Sequence, residues 1–173
     1  SSSNPNEVRT TSLRLKLRVD FDARTLAGTA EWRVDRAPGS DRVVFDVREV
    51  RVAAVTALAD GPDGASAGRV VGDWSVEGAD PILGSRLVVP LRPGENRVAI
   101  SYATSPKASG LQWLSPAQTR GKKHPYLFTQ AQAIHARSFV PCQDTPGVRF
   151  TYEAEIAAPA GLTAVMASVP EDA

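Results

Sequence analysis

The chain has 173 residues, 42% apolar and 23% charged, and its 20 Lys and Arg against 19 Asp and Glu leave a formal net charge of +1. That is the composition of one ordinary globular domain with material for a real core, and it excludes collagen, coiled coil and intrinsic disorder. Charge so balanced leaves no footprint for nucleic acid or an anionic bilayer, and no run approaches the roughly 18 unbroken apolar residues of a spanning helix, so neither partner is expected.

Leu13, Leu15, Leu17, Val19 and Phe21 alternate with Ser12, Arg14, Lys16, Arg18 and Asp20. A period of two turns one row to a core and the other to water, and so predicts a strand. Leu26, Gly28, Ala30, Trp32 and Val34 repeat the pattern, and the short link through Asp22, Ala23, Arg24 and Thr25 predicts an antiparallel hairpin. A nearly continuous apolar run from Val43 to Val47 predicts a more buried strand, followed by an alternating one through Val50, Val52 and Ala54. Residues 59–68 hold turn formers without an apolar period and predict a surface loop. Further strands are expected from Val70 to Trp74, Arg86 to Leu91, Arg97 to Ala103, Arg149 to Ala157 and Leu162 to Ser168, with a turn over Pro93, Gly94, Glu95 and Asn96.

Residues 104–147 break this rhythm. Ser115-Pro116-Ala117-Gln118 combines a Ser cap, Pro at the first helical position and Gln where a capping box needs it, predicting one helical turn. From Tyr126 to Val140 neither period holds: Tyr126, Leu127 and Phe128 read as strand, and Ala133 to Phe139 as a turn or two of helix before Pro141. Irregular segments on a regular scaffold are where function concentrates. The whole predicts an all-β fold, a saddle-like β-sandwich of about eight to ten short strands with one or two helical turns, in a single domain over residues 1–173.

The single cysteine, Cys142, excludes an internal disulfide, and with only His124 and His135 the chain cannot build a zinc site of the usual Cys and His type. His135 and Cys142 could form a nucleophilic pair, although no orienting acid is specified and a buried cysteine that simply packs is the plainer reading. Arg120-Gly121-Lys122-Lys123-His124 could hold an anion or be a solvated loop face. Asp144-Thr145-Pro146-Gly147 reads as a turn with Asp144 accepting local backbone bonds. Gln130 and Gln132 project to one side of an extended segment, and two amides side by side can hydrogen-bond a peptide or receive an amino group; surface glutamines are the bland alternative.

Three stretches are distinctive: Leu111-Gln112-Trp113-Leu114; His124-Pro125-Tyr126-Leu127-Phe128-Thr129-Gln130-Ala131-Gln132-Ala133-Ile134-His135-Ala136-Arg137; and Pro141-Cys142-Gln143-Asp144-Thr145-Pro146. Together with the opening hairpin around Val19-Asp20-Phe21 and Thr25 to Ala30, they closely resemble the N-terminal domain of the zinc aminopeptidase N superfamily, in its leukotriene A(4) hydrolase/aminopeptidase branch. The resemblance implies a mostly β domain that packs on a thermolysin-like catalytic domain of the same polypeptide and forms one wall of a peptide-substrate cleft. It implies that zinc is a cofactor of the full-length protein, bound elsewhere by His-Glu-x-x-His and a downstream Glu; neither that motif nor the family's Gly-x-Met-x-Asn loop occurs in these residues, so no catalytic or metal-binding residue is assigned here. It assigns peptide contact to Gln130, Ala131, Gln132 and Ala133, with Gln132 receiving the substrate's α-amino end and Ala133 near the first side-chain pocket. It also puts Tyr126 and Phe128 beneath that strand and Cys142 at the interface with the catalytic domain, each with ordinary core as the alternative.

The expected function is therefore peptide binding within a zinc aminopeptidase, with the fragment inactive alone. A free-standing β-sandwich binding module is the rival, in which Phe139 and Val140 would form an exposed apolar patch, and epoxide hydrolysis of a lipid by the full chain is a further alternative. The polar start, Ser1 to Asn6, and the apolar run before Ser168 to Ala173 suggest a domain excerpt. A lone reduced cysteine suits the cytoplasm, with export to a periplasm as the alternative.

Overall fold

The first two alternating runs become the longest strands, β1 (Val8–Asp20) and β2 (Thr25–Arg36), paired antiparallel with Leu13 opposite Trp32. Arg24, at φ +52°, turns the chain between them, and Asp20 Oδ1 accepts the Ala23 N–H at 2.8 Å. The computed structural model describes residues 1–61 and 66–170. Over these follow β3 (Arg42–Val47), β4 (Val50–Asp60), β5 (Ser66–Val70), β6 (Ser75–Asp80), β7 (Gly84–Pro90), β8 (Glu95–Thr104), β9 (Leu111–Leu114), β10 (Tyr126–Thr129) and β11 (Thr151–Ala157). Two short 3₁₀ turns, Pro116–Gln118 and Ala136–Ser138, interrupt them.

One sheet has the order β11-β1-β2-β8-β4-β5, a second β3-β7-β6, and β9 with β10 makes a separate ribbon. β11 joins β1 in parallel, whereas the remaining pairs are antiparallel. The inward rows of both sheets share one core: Leu13, Leu15 and Leu17 of β1, Ala30, Trp32 and Val34 of β2, and Val98 and Ile100 of β8 meet Phe45, Leu87 and Val89. Trp32 and Phe45 touch across the layers with ring centroids 6.2 Å apart. Each large side chain so buried is worth roughly 1.5–3 kcal/mol, which is why the alternation dictates the architecture. The outward rows carry cross-strand ion pairs such as Lys16–Glu155 at 2.7 Å and Arg14–Glu153 at 3.4 Å; being exposed, these contribute little energy and mainly favour the register. The chain is thus an all-β sandwich, as its pattern predicts.

β3 is covered on both faces: Val43, Phe45 and Val47 enter the core, while Val44 and Asp46, pointing the other way, are buried as well. Its free edge is closed by the Val44 N–H donating to Asn4 Oδ1 at 2.9 Å and by Asp46 N–H donating to the Cys142 carbonyl at 2.7 Å. An edge so covered cannot template pairing with another chain.

Several expectations need correction. Within the predicted 59–68 loop, Ala59 and Asp60 end β4 and Ser66 to Gly68 begin β5, so that turn residues join a hairpin; positions 62–65 lie outside the described residues. Of the strand expected from Val70 to Trp74, Val70 is the last residue of β5 and is 76% exposed, whereas Val71, buried, begins the connection from β5 to β6. Leu162 to Ser168 forms no strand among the described residues.

Candidate functional site

The irregular segment is a strap laid across the sandwich and tied down by buried polar groups. Trp32 donates its indole N–H to the Pro141 carbonyl at 2.8 Å, and the Tyr102 hydroxyl donates to the Phe139 carbonyl at 2.9 Å. Gln143, 2% exposed, does for β1 what a neighbouring strand would: its Oε1 accepts the Thr10 N–H at 3.0 Å and its Nε2 donates to the Val8 carbonyl at 2.7 Å. Arg137 is fully buried and donates to Asp144 Oδ2 at 2.9 Å, the Asp144 carbonyl at 3.0 Å and the Leu83 carbonyl at 2.7 Å, with Asp46 Oδ1 at 3.6 Å. Asp46 in turn accepts the Ser2 and Asp144 N–H groups at 2.7 and 3.0 Å. Buried charge survives only when paired and hydrogen-bonded in this way.

The strap presents an exposed turn where β10 ends. Thr129 closes the strand, Gln130 donates its N–H to the Gly110 carbonyl at 2.9 Å, and His135 donates its N–H to the Ala131 carbonyl at 2.7 Å. Gln130, Ala131, Gln132 and Ala133 are all exposed on it. The two glutamines do not act as equals, because Gln130 Oε1 bends back to accept the Gln132 N–H at 3.1 Å. Among the described residues the Gln132 side-chain amide has no partner, leaving its oxygen and NH2 directed at whatever approaches from outside. The turn fits against Gly110 because that residue has no side chain: a Cβ there would lie 2.6 Å from Phe139 Cδ1 and 2.8 Å from the His135 carbonyl oxygen.

Other expectations sort differently. The helical turn at Pro116–Gln118 forms, with Gln118 Oε1 accepting the Ser115 N–H at 2.9 Å. Tyr126 and Phe128 do lie on a strand, but they are 55% and 43% exposed rather than packed beneath it, because the two-stranded ribbon has no sheet covering that face. Val140 is buried and Phe139 packs against the core, so these two do not form an exposed patch. Cys142 is buried in this domain's own interior, which removes it from any interface surface. Asp144 lies just before the turn over Thr145 to Val148, and its carboxylate accepts from the backbone and side-chain N–H groups of Arg137 rather than from neighbouring backbone. The His135–Cys142 pair does not assemble: His135 Nδ1 is occupied by Arg48 and Ser109, and burial, reinforced by Asp144 and Asp46, pushes the Cys142 thiol well above its ordinary range. The Arg120–His124 run lies on the surface.

Arg48 and Ser109 belong to the site and carry no signal in the sequence, since each reaches it from a turn far away in the chain. Two surface clefts lie elsewhere, one between residues 33–41 and 91–96, the other between residues 19–22, 124–125 and 159–162, and neither includes residues 130–133. No three His, Cys, Asp or Glu side chains converge as metal ligands among the described residues, and the buried carboxylates of Asp46 and Asp144 are already matched by Arg137. This donor set does not fit a zinc ion.

A family model for the Peptidase M1 N-terminal domain matches residues 9–172. The chain belongs to that family. This M1 N-terminal domain is 40% identical to leucine aminopeptidase 2 of Chaetomium globosum, over 97% of the chain and 27% of that protein. It is 35% identical to leukotriene A-4 hydrolase of Xenopus laevis, over 98% of the chain and again 27% of the relative. The structure of yeast leukotriene A4 hydrolase in complex with bestatin matches with a TM-score of 0.78 at 33% identity, over 92% of this chain and 24% of that one. The M1 N-terminal domain thus spans about a quarter of the length of the relatives it matches, and it falls in the leukotriene A(4) hydrolase branch.

Proposed function

We propose that this domain forms, within a longer polypeptide, one wall of the substrate cleft of a zinc aminopeptidase, and that Gln132 receives the free α-amino end of a peptide. The observation that carries the reading is the unengaged Gln132 amide, presented on an exposed turn whose roots are fixed by buried hydrogen bonds. An amide oxygen accepts from an ammonium group without itself titrating, and more weakly than a carboxylate would, so recognition is set by orientation more than by charge. Gln130, held back on the turn, and Ala131 offer backbone to an extended ligand, and Ala133 leaves room for the first side chain. Zinc and its bound water belong in this reading to a catalytic domain outside the chain, and no chemical step is carried by residues 1–173. Tyr126 and Phe128, with ring centroids 6.2 Å apart, supply an apolar surface for that domain to pack on.

The test is zinc content and hydrolysis of an aminoacyl-anilide by the 173-residue chain and by the longer polypeptide, side by side. The reading expects a metal-free, inert chain and a zinc-loaded, active polypeptide. A longer product that is also metal-free and inert would leave a binding module without catalysis, and one that opens a lipid epoxide but cleaves no anilide would transfer the site to the other chemistry.

A further inference from the structure

Two residues distant in sequence converge on one nitrogen of a third, His135, beside the presented turn. Arg48 Nη2 lies 2.9 Å from His135 Nδ1, Ser109 Oγ lies 2.8 Å from the same atom, and Arg48 also donates to Ser109 Oγ. A guanidinium only donates, so His135 Nδ1 must offer its lone pair, which fixes the imidazole as the Nε2–H tautomer. Arg48 is itself held in place: its Nη1 donates to the Ile82 carbonyl at 2.7 Å, and its backbone N–H donates to the Arg137 carbonyl at 3.0 Å. It emerges from the β3–β4 turn, where Glu49 adopts φ +55°. One cation thus joins the β6–β7 tip, the loop after β8 and the strap.

His135 is the hinge point of the presented turn, because its N–H closes the turn on Ala131 while its carbonyl accepts Ser138 Oγ–H at 2.7 Å. The imidazole cannot rotate without releasing Arg48 and Ser109, and the backbone that bears it sets the direction of Gln132. Charge-assisted bonds of this kind are about twice as strong as neutral ones and geometrically restrictive. We infer that Arg48 and Ser109, acting through His135, are positioning residues for substrate binding: they aim the Gln132 amide, although none of the three touches the ligand. The inference rests on the proposed role of Gln132, and misplacing a positioned group by about 1 Å is costly.

The test uses the longer polypeptide with an aminoacyl-anilide, reading KM and kcat separately, with zinc content and far-UV circular dichroism as controls for folding. His135→Ala and Arg48→Lys should each raise KM about tenfold with kcat within about twofold, the size expected for losing a charge-assisted hydrogen bond. His135→Asn, which returns an acceptor oxygen near the place of Nδ1, should restore most of the loss, a rescue that a packing role would not give. His135→Ala combined with Gln132→Ala should be no worse than Gln132→Ala alone. If Gln132→Ala raises KM while His135→Ala and Arg48→Lys leave it unchanged, the positioning role is wrong and the role of Gln132 stands. If Gln132→Ala itself changes nothing, the proposed function fails first. Additive effects in the double variant, or no rescue by His135→Asn, also overturn the inference. Should His135→Ala fail to fold, Ser109→Ala, an exposed site, decides by the same KM criterion.

Discussion

Replacing Arg137 by Ala removes a fully buried cation and with it the donors to Asp144 Oδ2, the Asp144 carbonyl and the Leu83 carbonyl. Asp46 and Asp144, 1% and 11% exposed, then lose their buried cation and keep only N–H donors, from Ser2 and Asp144 on Asp46 and from the Arg137 backbone on Asp144. Removing one partner of a buried pair costs about 3–5 kcal/mol, and carbonyls left unsatisfied add to it, so a loss of about 4 kcal/mol is a conservative expectation. That is a large share of the roughly 5–15 kcal/mol by which domains are stable. At about 2–4 °C per kcal/mol for a chain of this size, Tm should fall by about 10 °C. The assay is urea and thermal denaturation of wild type, Arg137→Ala and Arg137→Lys, followed by far-UV circular dichroism and by tryptophan fluorescence, to which Trp32, bonded to the strap at Pro141, contributes with Trp74 and Trp113. Arg137→Lys keeps the charge but cannot reach three acceptors, and should be intermediate. A loss under about 1 kcal/mol in Arg137→Ala would refute the view that this ion cluster fastens the strap.

Gly110→Ala should destabilise by about 1–3 kcal/mol, because the new Cβ meets Phe139 and the His135 carbonyl at under 3 Å; an unchanged urea midpoint would show that the turn yields freely. Cys142 should resist thiol reagents until the chain unfolds. Because burial raises its thiol in the folded state only, the unfolded chain alone ionises as pH rises past the ordinary thiol value of about 8.5, and stability should decline from there; Cys142→Ala should flatten that decline between pH 8 and 10. Glu95 is held below the usual carboxylate range chiefly by its hydrogen bonds from Arg69 at 2.7 and 2.8 Å, then by the Arg92 N–H. Its contribution should be complete above the ordinary glutamate range and vanish as pH falls through the depressed value, so Glu95→Gln should cost about 2 kcal/mol at pH 7 and much less at low pH.

How far the fold can be read from sequence depends on how each face is covered. β1 and β2 are legible because each has one dry and one wet face, and β3 because the strap buries its second face and makes its apolar run continuous. Val70 and Val71 mislead, since two adjacent valines look like strand whether or not both are buried. β9 has only four residues and β6 little apolar content, so neither shows a period. The exposure of Tyr126 and Phe128 is likewise illegible: aromatic residues announce burial, and only the topology reveals a ribbon with a bare face. At the candidate site, no hydrophobic period marks Gln130 to Ala133, and only the family motif that contains them singles them out. The inequality between Gln130 and Gln132 is not legible, because it arises where the strand stops. Arg48 and Ser109 are invisible for a different reason, lying 87 and 26 residues from His135 in sequence and meeting it only in the folded chain.

The role of Gln132 is measured most directly by KM for an aminoacyl-anilide in the longer polypeptide carrying Gln132→Ala and, separately, Gln132→Glu, with zinc content held equal. If the Gln132 amide receives the substrate's amino end, the alanine variant should raise KM about tenfold and the glutamate variant should lower it or hold it near wild type, the carboxylate being the stronger acceptor for an ammonium. Equal KM across all three proteins would contradict the claim and leave this wall of the sandwich without a part in binding.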